Sequence, residues 1–321
     1  MPNRSLGKIL GPIGLLLPFV IMPFFIGEYQ LNTMVYILIW ILVGVSYRLL
    51  ATTGEFSLGH VVVMGIGAYT SALLGRNFGL PFYVTMPLGG LVSLAFAAAT
   101  AYPLFRMRGF YFLIGSFAIG EAIRLIWRRA KDLFGGEGGI SYIPKAEIGG
   151  FIFDSTFSYY WLTLGVVAGC LAFLYLVDRS RFGTALEAIH YQDPLCESVG
   201  INVPRYKMSA YMIASFFAGI AGGLLAHFQG AISPPQFALS FQLFVLVWVI
   251  VGGTNTFWGP IAGVITLYLI QEALRGTFAE FMPLIYGVIL IAMVFGLPDG
   301  FEGLPDRIRG WRMSLKSRRA T

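Results

Sequence analysis

Few side chains in this sequence are placed to do covalent or metal chemistry, and their spacing limits what that chemistry is. The three histidines, His60, His190 and His227, fall in three separate segments and form no zinc-binding set. Cys170 and Cys196 have no metal-ligand spacing either, and both read as structural. No Gly-x-x-x-x-Gly-Lys-Ser/Thr phosphate loop, Gly-x-Ser-x-Gly elbow or His-Glu-x-x-His helix occurs anywhere. The sequence therefore predicts no cofactor or metal of its own, no nucleotide hydrolysis and no catalytic residue. What remains is charge inside apolar segments, which is costly at bilayer depth and marks function unless it is neutralised. Glu121 with Arg124, and Glu272 with Arg275, are each three residues apart on one helix face, the spacing of a self-compensating pair. A proton-coupled carrier needs an unpaired mid-membrane carboxylate, and none is evident. A membrane enzyme needs a convergent cluster of His, Asp or Cys, which is equally missing.

The elements that hold these residues are greasy. Hydrophobic residues make up 57% of the 321 and charged residues 12%, against about 25% charged in soluble domains. That balance predicts an all-α, polytopic integral membrane bundle, a single transmembrane domain over 1–321 with lipid as its surroundings. Forty glycines agree with closely packed membrane helices. A bilayer core takes about 20 helical residues to cross. Candidate spans are 9–26, 31–50, 57–75, 82–105, 109–128, 158–177, 206–229, 238–256, 258–275 and 279–297, about ten helices in a range of eight to ten. The first lacks a small-x-small cleavage site and reads as a span rather than a signal peptide. The net charge of +6 is explained by orientation, not by nucleic acid. With cytoplasmic termini, inner segments hold fifteen of the 22 Lys and Arg, including the basic tail 306–321. One place resists: five of the outer seven cluster between Arg124 and Lys145, so that loop is external despite its charge or the 109–128 span is broken.

Two stretches depart from plain membrane helices. Thr52 to Ala72 places Glu55, Ser57 and His60 among glycines, followed by Gly65, Gly67 and Tyr69. Gly252 to Gly263 carries Thr254, Asn255 and Thr256 ahead of Trp258, Gly259 and Pro260. Irregular or glycine-interrupted segments at membrane depth point to a translocation path, with ordinary interfacial loops as the alternative. Gly219 with Gly223, and Gly259 with Gly263, are small-x-x-x-small pairs that predict close helix packing.

The longest polar interval in the second half is 179–207. Phe182, Leu186 and Ile189 recur at helical spacing, predicting a helix over Arg181 to Gln192. Asp193 and Pro194 fit an N-cap and first helical position for a second helix over Leu195 to Val199, with Gly200 ending it. Such a module either rests on lipid headgroups or docks a cytoplasmic protein.

At this module the sequence resembles the membrane subunits of bacterial ABC importers, whose coupling loop carries Glu-Ala, a Gly about a dozen positions later, then a hydrophobic residue and Pro. Here these are Glu187, Ala188, Gly200, Ile201 and Pro204, with Asp193 and Pro194 as the hinge between them. SLGHVVVMGIGAYTSALL (57–74), RGFYFLIGSFAIGEAIRL (108–125), GGEGGI (135–140), VGINVPRYK (199–207), AGIAGGLLAHFQGAISP (218–234), VIVGGTNTFWGPIAG (249–263) and LPDGFEGL (297–304) narrow the likeness to LivM-type permeases of branched-chain amino acid importers. The resemblance implies a multi-pass protein of the bacterial inner membrane. It implies a second, related permease, two cytoplasmic ATPase subunits that bind the ATP, and a periplasmic or lipid-anchored substrate-binding protein. It also implies that substrate passes between the two permeases while ATPase closure presses on 179–207. Val61 to Val63 and Glu137 depart from many relatives, which leaves urea, short amides and other small acids as alternative substrates. A secondary carrier or channel is the alternative class.

Overall fold

The computed structural model describes residues 19–296 and 300–303. Eleven helices of more than one turn organise them, labelled α1 to α11. They are α1 Glu28–Ala51, α2 His60–Phe78, α3 Phe82–Leu104, α4 Phe110–Arg129, α5 Thr156–Arg179, α6 Arg181–Tyr191, α7 Asp193–Ser198, α8 Val203–Gln229, α9 Leu239–Gly252, α10 Gly259–Phe278 and α11 Met282–Gly296. Nine of these overlie nine predicted spans. Most of the remaining predicted span, 9–26, lies outside the described residues, as do the tail 306–321 and all of 297–304 except Gly300 to Gly303.

Six helical segments among the described residues are long and apolar enough to cross a membrane: Glu28–Ala51, Phe82–Leu104, Phe110–Arg129, Thr156–Arg179, Val203–Gln229 and Pro234–Gly252. α2 falls short because its 19 residues include Gly65, Gly67, Gly75, Ser71, Arg76 and Asn77. Those small and polar residues suit a helix buried among other helices rather than one facing acyl chains.

α1 is the axis. From Ile37 to Ala51 it is continuously buried and almost wholly apolar, as expected of a helix surrounded by others. Beside it, α2, α3 and α8 meet backbone to backbone. A Cβ on Gly222 would lie 2.0 Å from the Met64 carbonyl oxygen, and one on Gly67 would lie 2.3 Å from that of Gly219. One on Gly89 would lie 2.6 Å from the Gly67 oxygen, and one on Gly219 would lie 2.5 Å from Ser93 Oγ. Gly223 looks instead at Met86. A second such contact joins α9 to α10, where a Cβ on Gly263 would lie 2.1 Å from the Trp248 oxygen and one on Gly252 would lie 2.2 Å from that of Gly259.

The helices run between two ends. At one, Arg48 near the close of α1 reaches Asp178 near the close of α5, and Gly300 packs on Gly253 after α9. At the other, Glu28 meets Thr156, Tyr36 meets Gln229 and Tyr29 meets Glu272. The second end also carries two short antiparallel pairs. β1 (Ile140–Ser141) pairs with β4 (Ala231–Ile232), and β2 (Glu147–Ile148) pairs with β3 (Phe151–Ile152) across Gly149-Gly150. We call the first the loop end, because α6 and α7 lie there, and the second the far end.

The charged stretch 124–145 lies at the far end. α4 runs unbroken through Arg129, so the broken-span alternative falls away. Its charges are tolerated because most are answered locally: Arg124 pairs with Glu121, Arg128 with Glu137 and Lys145 with Asp154.

Candidate functional site

The loop end gathers the irregular backbone and the buried charge. α5 stops at Ser180, whose Oγ accepts hydrogen bonds from the amides of Phe182 (3.2 Å) and Gly183 (3.4 Å) and so starts α6 in a new direction. Leu186 and Ile189 turn inward, while Glu187 and Ala188 stand exposed beside them. α7 follows at Asp193 and ends at Gly200, which sits at φ +87°; the Gly200 amide donates to the Glu197 carbonyl and the Ile201 amide to that of Cys196. This left-handed stop satisfies the last carbonyls of α7 and favours glycine. Asn202 then caps α8 through Arg205 N at 3.2 Å. Ile189, Cys196 and Val203 form a small core under the module, and Phe182 stacks on Tyr206 at 5.4 Å. Tyr191, Leu195 and Val199 remain on the outside, 59–71% exposed. The module is thus fastened on its inner face and presents an apolar knob, with Glu187 and Ala188 beside it.

Asp193 differs from expectation. It is the first helical residue, Gln192 holds the cap position, and the carboxylate makes no cap hydrogen bond. Instead it accepts from Lys207 Nζ at 2.8 Å. The physical reason is Lys207 itself, which is buried near the start of α8, and a buried ammonium without counter-charge is far costlier than an unfilled cap. Lys207 also lies 3.4 Å from Glu55 Oε1, and the other Glu55 oxygen accepts the amide of Gly109, 3.0 Å away at the start of α4.

A second buried cation lies at the same end. Arg48 donates to Asp178 Oδ1 at 2.7 Å, to the Thr254 carbonyl at 2.9 Å and to the Asn255 carbonyl at 3.4 Å. Thr256 Oγ1 accepts from the Gly259 amide at 3.2 Å and so starts α10. Thr254 and Asn255 therefore lie against α1, and with Thr256 they line a cleft of about 440 Å³ together with Thr184, Glu187 and His190 of α6.

The other residues placed on a path by sequence are enclosed within the chain. Ser57 is buried, its carbonyl accepting from Tyr47 OH (3.0 Å) and Gln242 Nε2 (3.1 Å). His60 is buried, with Nε2 3.0 Å from Ser46 Oγ and its ring edge-on to Tyr47. Gln242 also accepts from the Val61 amide at 2.6 Å, so one α9 side chain splints the irregular approach to α2. Deeper in, a Cβ on Gly65 would lie 2.6 Å from the Trp127 ring, on which Tyr69 stacks at 4.5 Å. Sequence reasoning missed Arg48, Lys207, Asp178 and Gln242 as site residues. Their signal was a charge or amide near the end of an apolar segment, which was read only as orientation or not at all.

The far end is built differently. His227 is buried among neutral partners, Ser71 Oγ (3.0 Å), Thr85 Oγ1 (3.3 Å) and the Pro144 carbonyl (2.7 Å). Two clefts of about 360 Å³ flank it and share Lys145. On the surface, the Arg128 guanidinium beside Glu137 holds that carboxyl below its ordinary value.

The described residues form a helical bundle with an exposed two-helix module fastened to its core, six of whose helical segments are long and apolar enough to cross a membrane; sequence comparison gives the family. Residues 29–295 match the model for the permease component of branched-chain amino acid transport systems. The chain belongs to that family. It is 32% identical over 312 residues to the high-affinity branched-chain amino acid transport permease LivM of Salmonella typhimurium, covering 90% of this chain and 73% of that protein. To the LivM of Escherichia coli K12 it is 30% identical over the same shares. It is 27% identical to the probable permease LivH of Methanocaldococcus jannaschii over 48% of this chain and 49% of that one. A solved chain of PsaBC from Streptococcus pneumoniae aligns over 88% of this chain and 97% of its own at 14% identity and a TM-score of 0.47, too remote to transfer detail.

Proposed function

We propose that this chain is the LivM-type membrane subunit of an ABC importer for branched-chain amino acids. The observation that carries the reading is likeness to two LivM permeases over 90% of the chain. In this reading a second permease completes the translocation path, two ATPase subunits bind the ATP, and a periplasmic or lipid-anchored protein delivers substrate. The bundle has about ten spans in a bacterial inner membrane, with both termini and the basic tail 306–321 in the cytoplasm.

The loop end then faces the cytoplasm, and 179–207 is the coupling loop. Glu187, Ala188 and the knob of Tyr191, Leu195 and Val199 meet the ATPase, while Asp193, Pro194, Gly200, Ile201 and Pro204 set the angle between helices. Ser57, His60 and Thr254 to Thr256 shape the inner mouth of the path from behind. Gly65, Gly67 and Tyr69 hold α2 in place along it. Co-expression with the second permease, the ATPases and the binding protein, followed by reconstitution in proteoliposomes, tests this. ATP-dependent uptake of leucine, isoleucine or valine is the expected result. A binding protein that takes urea or short amides and none of the three in calorimetry would overturn the substrate, and uptake without ATPase subunits would overturn the class.

A further inference from the structure

The coupling loop is held to the bundle by charge as well as by its small apolar core, and the charge reaches further. Lys207 bridges three elements. It lies 2.8 Å from Asp193, the first residue of α7, and 3.4 Å from Glu55, in the turn between α1 and α2, while its own backbone belongs to α8. Through Glu55 the bridge extends to a fourth, because the second carboxylate oxygen accepts the Gly109 amide at the start of α4. Gly109 sits at φ +56°, ψ −120°, so α4 begins at a backbone pivot that only glycine adopts freely. Lys207 and Glu55 are both under a tenth exposed.

Stability alone does not account for such an arrangement. A buried ion pair is often no better than apolar groups of equal volume, since desolvation offsets the attraction. What the charges supply is direction: an ammonium between two carboxylates keeps α7 and the α1–α2 turn in register with each other. The two distances are also unequal. The shorter contact is to the module and the longer to the core, so Lys207 is held more closely by α7 than by the α1–α2 turn and follows the module first.

We propose that Lys207 is a positioning residue for transport. It carries displacement of α7 to Glu55, and Glu55 carries it to the start of α4 at Gly109, so that the coupling loop moves the α1–α2 turn and α4 together. This rests on the coupling-loop reading above. Glu55 and Lys207 touch neither substrate nor nucleotide in this scheme; they transmit.

The test uses the whole importer in proteoliposomes, with leucine as the transported probe and a non-hydrolysable ATP analogue for trapping. Asp193→Asn unlinks the module while leaving Lys207 on Glu55. The triple variant Glu55→Gln, Asp193→Asn, Lys207→Met leaves no buried charge unpaired and so avoids the folding cost of a single change. Both are expected to retain the ATPase subunits on purification while leucine moved per ATP falls about tenfold, inside the range that coupled sites usually span. In wild type, the analogue should alter amide exchange in 52–59 and 106–112 as well as in 181–200. In Asp193→Asn the response should stay within 181–200.

An unchanged uptake ratio with the full exchange response in Asp193→Asn would overturn the proposal. So would loss of the ATPase subunits from both variants, which would make the cluster a matter of assembly alone. Wild-type liposomes that take up no leucine would count against the substrate reading only, since the exchange response to nucleotide still decides whether Lys207 transmits.

Discussion

The two ends of the bundle handle charge in opposite ways. At the far end, ion pairs join residues close in sequence, as in Glu121 with Arg124, Arg128 with Glu137 and Lys145 with Asp154, and the last two lie largely in the open. Its buried imidazole, His227, has neutral partners. At the loop end, Arg48 and Lys207 are buried and reach carboxylates on other elements: Asp178 from Arg48, Glu55 and Asp193 from Lys207. Exposed local pairs contribute little and are screened by salt. Buried pairs between elements fix where those elements sit, and breaking one strands a charge. The far end keeps its charges in local, mostly exposed pairs, while the loop end buries them between elements and so fixes position.

That contrast predicts an order of effects. Arg48→Met should be the most damaging, at about 3–5 kcal/mol, because Asp178 is left without its cation and two carbonyls lose their donor. Thermal unfolding of the purified protein in detergent reads it, and a melting temperature equal to wild type would sink the contrast. His227→Phe comes next, at about 1–3 kcal/mol, the cost of leaving the Pro144 carbonyl without its ring partner and removing the nitrogen shared by Ser71 and Thr85. The same melt measures it, and a loss as large as that from Arg48→Met would erase the distinction between the ends. Gly200→Ala should cost about 1–2 kcal/mol through its positive φ alone, since the space around the added methyl is open. Hydrogen exchange in α7 would register it before the global melt does.

The smallest effect belongs to Glu137→Gln, which should leave the melt unchanged at physiological salt. Glu137 has a lowered pKa in the folded chain. Its contribution is therefore present above the ordinary glutamate range and fades as pH falls through the lowered value. Comparing Glu137→Gln with wild type at neutral and acid pH in low salt exposes it. A difference larger at acid pH than at neutral pH would reverse the sign.

Much of this architecture was legible in the order of residues. Nine helices followed from apolar length, and the helix, hinge and glycine stop of 179–207 followed from Phe182, Leu186, Ile189, Pro194 and Gly200. The pair Glu121–Arg124 followed from helical spacing. What was not legible depends on partners far away in the chain. Nothing local to Lys207 says that Glu55, about 150 positions earlier, lies beside it, so in the sequence its charge speaks only to orientation. Asp193 has the local signature of a cap, and Lys207, 14 positions later at the start of another helix, takes its carboxylate. Spacing singled out Gly219 and Gly223, yet Gly222 between them makes the closest approach of the three to a neighbouring backbone, because α8 packs against helices on two sides.

The glycine contact among α2, α3 and α8 sets a mechanical rule for the protein. Where backbone rests directly on backbone, there are no side chains to swing into other rotamers and no gap to close. Packing of this kind resists sliding and tilting, so α2, α3 and α8 form the stiffest contact described in the bundle.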